Sequence, residues 1–151
     1  MTARLLFVAA LLALAACKPL AGTPAPGFVE LKDDPNYDFR AVAPEGVAVA
    51  ARLVKMDRPN DVAFWERSVA LRMREMDGYA LVEAKDVRGP GGAAGRELVF
   101  GHDEDSKPYV YRMRLFVIGD ALLVLEAGGQ RDQVAKLGPS VEWMLDRVRI
   151  K

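Results

Sequence analysis

The chain has 151 residues, 51% hydrophobic and 28% charged, with 21 basic side chains balanced by 21 acidic ones. That length suits one domain with enough apolar surface for a core. The balance excludes the basic face a nucleic-acid binder needs and supplies no electrostatic docking on anionic lipid. A single cysteine, Cys17, excludes an intramolecular disulfide.

The first sixteen residues have the form of a secretory signal: Arg4 provides positive charge, Leu5 to Leu14 an apolar stretch, and Leu14-Ala15-Ala16-Cys17 a bacterial lipobox. The apolar residues Leu5 to Ala16 would cover roughly 18 Å as a helix, too short for a bilayer core of about 30 Å. Cleavage is expected between Ala16 and Cys17, with acylation of the Cys17 thiol. Two or three acyl chains, at about 0.8 kcal/mol per buried CH₂, make a stable anchor where one chain is marginal. Lys18 follows the cysteine in place of the aspartate that retains enteric lipoproteins at the inner membrane. The expected address is the bacterial cell envelope, at the periplasmic face of the outer membrane.

Residues 18–27, KPLAGTPAPG, carry no apolar period and read as a flexible tether. Extended at about 3.1 Å per residue, they would hold the domain up to roughly 30 Å from the bilayer. The domain is expected over residues 28–151, with Phe28 and Val29 packed on it.

Within it, Tyr37 to Val42 and Val47 to Val54 read as two strands joined by the turn Ala43-Pro44-Glu45-Gly46. Asn60 or Asp61 caps a helix whose apolar stripe is Val62, Trp65, Val69, Met73 and Met76, ending near Gly78. Four strands follow: Tyr79 to Val87, Glu97 to Gly101, Tyr109 to Ile118 and Ala121 to Ala127. The last is apolar on both faces over Ala121 to Leu125, which places it centrally, and Gly128 and Gly129 end it. Val134, Leu137, Val141, Met144, Leu145 and Val148 form a helical stripe interrupted at Gly138-Pro139, which gives two short helices or one kinked helix. Ser140 reads as an N-cap, and residues 147–151 as a short last strand. The fold class is α/β (α+β), an αβα sandwich with a mostly antiparallel six- to seven-stranded sheet and two main helices.

The stretch FRAVAPEG at Phe39 to Gly46, Trp65 on the first helix, Gly78-Tyr79 before the third strand, the Tyr109 to Ile118 strand and the closing helix together resemble the Mog/PsbP-like superfamily, which includes DcrB-like bacterial lipoproteins. The resemblance covers Phe28 to Lys151. It implies an αβα sandwich used as a binding or assembly module and not as an enzyme, and it carries over no ligand residues.

The residues themselves carry little chemistry. His102 stands beside Asp103, Glu104 and Asp105, but consecutive residues point apart and read as a solvated hairpin turn, so no metal site is expected. The loop from Gly89 to Gly95 lacks the Lys and Ser/Thr of a phosphate loop and reads as flexible. Gly91, Gly92, His102, Asp103 and Glu104 are the expected partner surface. Ser68, Ser106 and Ser140 lie in no nucleophile elbow. The expectation is a non-catalytic module, without cofactor, that binds an envelope protein. Two alternatives remain: a small apolar ligand carrier, with Trp65, Trp143, Met73 and Met76 around a cavity, and a hydrolase with polar groups converging near His102 or on the open sheet face.

Overall fold

The computed structural model describes Lys18–Lys151; Ala16 and Cys17, where cleavage and lipidation are expected, lie outside the described residues. The elements in chain order are β1 (Leu20–Ala21), β2 (Val29–Glu30), β3 (Phe39–Val42), β4 (Ala48–Lys55), α1 (Val62–Glu75), β5 (Ala80–Arg88), β6 (Ala94–Glu104), β7 (Lys107–Ile118), β8 (Ala121–Gln130), α2 (Arg131–Lys136), α3 (Gly138–Leu145) and β9 (Arg149–Ile150). Seven strands form one antiparallel sheet in the order β2-β3-β4-β8-β7-β6-β5, while β1 and β9 pair separately.

The period of two along β7 sorts its side chains between two cores. Met113 and Leu115 face a cluster with Leu98, Phe100, Leu122, Val124 and Met73, which α1 covers. Phe116 faces the opposite cluster, with Phe39, Val49, Leu123, Leu125, Val141 and Met144, covered by α2 and α3. The central strand β8 feeds both clusters, as its two apolar faces require. Asp61 caps α1, its carboxylate accepting the Phe64 N–H at 2.7 Å. Leu137 separates α2 from α3, so the C-terminal stripe is two short helices.

Several expectations are corrected. The residues read as a tether are folded onto the domain. Leu20 is 1% exposed and pairs with Ile150, Ala25 is buried, and a Cβ on Gly22 would lie 2.4 Å from the Phe39 ring, so only glycine passes there. The Lys18 ammonium donates to the carbonyls of Lys32, Asp34 and Tyr37 at 3.0, 3.2 and 2.8 Å. Phe28 is buried as expected, but Val29 is 63% exposed because its strand is the sheet edge.

The acidic segment is not a loop. His102, Asp103 and Glu104 continue β6 opposite Tyr109, Pro108 and Lys107, and the turn is only Asp105-Ser106, both at positive φ. That tight geometry matches the twist of the strands it joins. Gly128 and Gly129 do not end β8, because pairing with β4 and β7 carries the strand to Gln130. Ser140 lies inside α3, which starts at Gly138 with Pro139 in its first turn. Met76 follows the last turn of α1 and is 75% exposed. The glycine-rich segment is a short turn at Pro90–Gly92 whose flanks are packed: a Cβ on Gly95 would stand 2.3 Å from the Phe116 ring.

Candidate functional site: the groove beside the first helix

Ion pairs tie both helical layers to the sheet. Glu66 of α1 holds Arg96 of β6 in a fork, at 2.8 and 3.1 Å, and α1 packs over β5, β6 and β7. On the other face Glu97 is 0% exposed between Arg112 and Arg114, which also reach Glu142 of α3 and Asp146 just after it. The two arginines hold the Glu97 carboxyl below the ordinary carboxylate range although burial alone would raise it.

The helix lies over β5, β6 and β7, and beside it, above β4 and β8, runs a groove of about 580 Å³ deep enough to keep Leu122 and Val124 on its floor buried. This lies within the size of small-molecule sites, about 300–1,000 Å³. Trp65, Val69 and Met73 form the helix wall; Val54, Leu122 and Val124 continue an apolar floor. The Trp65 indole N–H points at the Met56 sulfur, 3.2 Å away, which fixes its ring. Tyr37 and Arg52 form the opposite rim, with the guanidinium 5.6 Å from the centre of the Tyr37 ring.

One end of the groove is polar. Glu126 of β8 is 3% exposed and accepts from Arg52 Nη2 at 3.1 Å. Burial raises the Glu126 carboxyl above the ordinary range, against the pull of Arg52. Tyr111 lies at the same end, and burial, with Glu126 close by, pushes its phenol well up, so it stays protonated. Glu126 Oε2 and Arg52 Nε are buried without a hydrogen-bond partner among the described residues. The Ser68 hydroxyl lines the groove but donates to the Phe64 carbonyl at 2.9 Å, so it is engaged in its own helix.

No protein-family model matches this chain, and no curated protein matches it by sequence. Solved structures do match. LpqN of Mycobacterium tuberculosis, involved in cell envelope biogenesis, aligns with a TM-score of 0.68 at 14% identity, over 87% of this chain and 83% of LpqN. Cyanobacterial PsbP from Synechocystis sp. PCC 6803 aligns at 0.56 and 8% identity, over 91% of this chain and 95% of that one. The Ran-binding protein Mog1p of Saccharomyces cerevisiae aligns at 0.58 and 11% identity, over 87% and 90%. The fold is Mog/PsbP-like. At these identities the likeness is one of fold alone.

In this Mog/PsbP-like domain the expected partner residues do not form one surface. Gly91 and Gly92 sit at the start of β6 and His102 to Glu104 at its end, some 26 Å apart for eight residues of strand between Ala94 and His102. His102 is held locally, its ring 4.9 Å from that of Tyr79 and its Nδ1 donating to the Gly78 carbonyl at 3.0 Å. Among the described residues no group of three or more His, Cys, Asp or Glu could hold a metal. Of the four residues expected around an apolar cavity, Trp65 and Met73 line the groove, whereas Trp143 packs on the opposite core and Met76 faces outward. The polar groove residues Tyr37, Arg52, Tyr111 and Glu126 were not singled out by the sequence. A glutamate next to the apolar run Ala121 to Leu125 was the available signal, since a charge on a central strand must find a partner.

Proposed function

We propose that this chain is a bacterial cell-envelope lipoprotein, anchored at the periplasmic face of the outer membrane through acyl chains on Cys17, that acts without catalysis as a binding module. Its binding site is the groove beside α1. The observation that carries this reading is an apolar groove ending where the half-exposed Arg52 meets the buried Glu126, a pair with unused hydrogen-bonding capacity. Small-molecule sites combine mostly apolar walls with a few placed polar groups in this way. The lipobox ending at Cys17, and the likeness of fold to an envelope protein, support the address. Among the described residues no helix is long and apolar enough to cross a membrane.

Native mass spectrometry of the protein released from envelopes tests the site. An adduct on the wild-type chain that is lost in Val54→Phe, which fills the groove from the half-exposed end of its floor, is the expected result. An adduct-free wild type removes the groove from the function.

A second reading, binding of an envelope protein, is favoured by a separate observation. Leu71, Met76, Leu81 and Val82 are exposed apolar side chains where α1 ends and the outer strand β5 begins, and the outer edge of β5 is unpaired. A photo-crosslinker at Leu71 in cells should then capture one envelope protein reproducibly, and lose it in Cys17→Ser. Capture of the same protein from a crosslinker at Lys136, on α2 across the sheet, would count against this face.

A further inference from the structure

Resting on the reading of Cys17 as the anchor, the position of Lys18 says how the groove meets the membrane. Lys18 directly follows the expected lipid acceptor, and its ammonium is held by three backbone carbonyls, among them that of Tyr37 at 2.8 Å. Tyr37 is also part of the groove rim. The chain therefore leaves the folded domain from the α2/α3 face of the sheet, where Leu20 packs, with the Lys18 side chain reaching the backbone of the groove rim, and an anchor at the preceding residue keeps that end of the domain close to the leaflet.

The groove chemistry describes what could enter from there. Val54, Trp65, Leu122 and Val124 line one end as a strip for a hydrocarbon chain. At the other end one donor, Arg52 Nε, and one acceptor, Glu126 Oε2, have no hydrogen-bond partner of ordinary geometry among the described residues, with the Tyr111 hydroxyl close enough to Glu126 to lower its carboxyl. Leaving such groups unpaired costs about 1–3 kcal/mol each. A hydroxyl answers both at once, because it accepts from the guanidinium and donates to the carboxylate. An anionic head would meet the Glu126 carboxylate instead. The charged side chains of the groove are Arg52 and Arg72 against Asp77 and Glu126, which cancel and add no attraction for either sign.

We propose that the groove takes a lipid from the anchoring leaflet, its acyl chain along Trp65 and Val124 and an uncharged, hydroxyl-bearing head group at Arg52 and Glu126. The full-length acylated protein, carrying Trp143→Phe so that Trp65 alone reports, is placed in phosphatidylcholine vesicles. The guest lipid, with brominated acyl chains, is either diacylglycerol or phosphatidylglycerol. Brominated diacylglycerol should extinguish most of the Trp65 emission, phosphatidylglycerol should do so much less, and Val54→Phe should restore the emission.

Unquenched Trp65 in vesicle-bound protein overturns the proposal, as does equal quenching in Val54→Phe, which would report surface proximity only. Stronger quenching by phosphatidylglycerol overturns the head-group assignment. Intact mass reads acylation of Cys17 separately. Acylated protein with unquenched Trp65 sinks the lipid site and leaves the anchor standing, whereas a chain without acyl mass sinks the anchor and the orientation drawn from it.

Discussion

Glu97 offers a direct test of how the second helical layer is fastened. Its carboxylate is 0% exposed and accepts from Arg112 Nη2 at 3.0 and 2.9 Å and from Arg114 Nε at 2.5 Å, with the Lys85 ammonium at 3.3 Å. Glu97→Ala removes the centre of this network and leaves two largely buried guanidinium groups. Breaking a buried pair from one side costs about 3–5 kcal/mol. Arg112 keeps Glu142 at 2.6 Å and Arg114 keeps Asp146 at 3.0 Å, both carboxylates more exposed than that of Glu97, so the loss should fall at the lower bound, about 3 kcal/mol. With a urea dependence of about 1.5 kcal/mol/M, the unfolding midpoint should drop by about 2 M, read by tryptophan fluorescence. Glu97→Leu combined with Arg114→Met removes both charges and should return to within about 1 kcal/mol of wild type, since an apolar pair of similar volume often replaces a buried ion pair without loss. A midpoint drop under about 0.5 M for Glu97→Ala, or a double variant as unstable as the two single changes summed, would refute this account.

Two buried carboxylates should respond to pH in opposite directions. The folded pKa of Glu97 is lowered, so its stabilisation is present above the unfolded range near about 4.3 and is lost as pH falls through the folded value. Glu126 is raised by burial, so its contribution is full below that range and is lost as pH rises through the folded value. The stability advantage of wild type over Glu126→Gln should therefore shrink between pH 4 and 8; a constant or growing advantage in urea titrations contradicts the burial argument. Gly95→Ala forces a Cβ to 2.3 Å from the Phe116 ring and should destabilise by about 1–3 kcal/mol, whereas Gly138→Ala, at the first residue of α3 before Pro139, meets no atom beyond its chain neighbours and should change stability by less than about 0.5 kcal/mol. Equal calorimetric shifts for the two would discredit the packing reading. Asp61→Ala removes the cap of α1 and should cost about 1 kcal/mol, with faster amide exchange confined to the first turn. Cys17→Ser should leave uncleaved, unacylated precursor; normal membrane fractionation of that variant would remove the anchor.

Elements governed by local periodicity were legible in the sequence. The alternation of Tyr111, Met113 and Leu115 with Val110, Arg112 and Phe116 assigns β7 to two faces without knowledge of its neighbours, and the spacing of Val62, Trp65, Val69 and Met73 does the same for α1. What escaped depends on partners distant along the chain. Residues 18–27 carry turn-forming composition, yet Leu20 finds Ile150 and Gly22 finds the Phe39 ring, and that packing outweighs local flexibility. The groove needed three separate placements: Glu126 on the central strand, Arg52 one strand over, and Tyr37 in the segment before β3. The ion pair that ties α1 over β6 beside it joins Glu66 and Arg96, residues 30 positions apart. The tight Asp105-Ser106 turn was hidden because His102, Asp103 and Glu104 look like loop residues until Tyr109, Pro108 and Lys107 are seen opposite them.

The pairing of β1 with β9 brings Leu20 opposite Ile150, and the Lys151 amide donates to the Pro19 carbonyl at 3.0 Å. The two ends of the folded domain therefore leave it side by side, a geometry that suits circular permutation. Joining Lys151 to Lys18 through a short linker and reopening the chain at Asp105-Ser106 would keep every strand of the sheet intact while carrying the lipobox to the tip of the β6–β7 hairpin. With Cys17 as the proposed anchor, such a permutant would hang from the bilayer in a new orientation, which would make the domain's attitude to the membrane an adjustable variable, separate from its sequence and its fold.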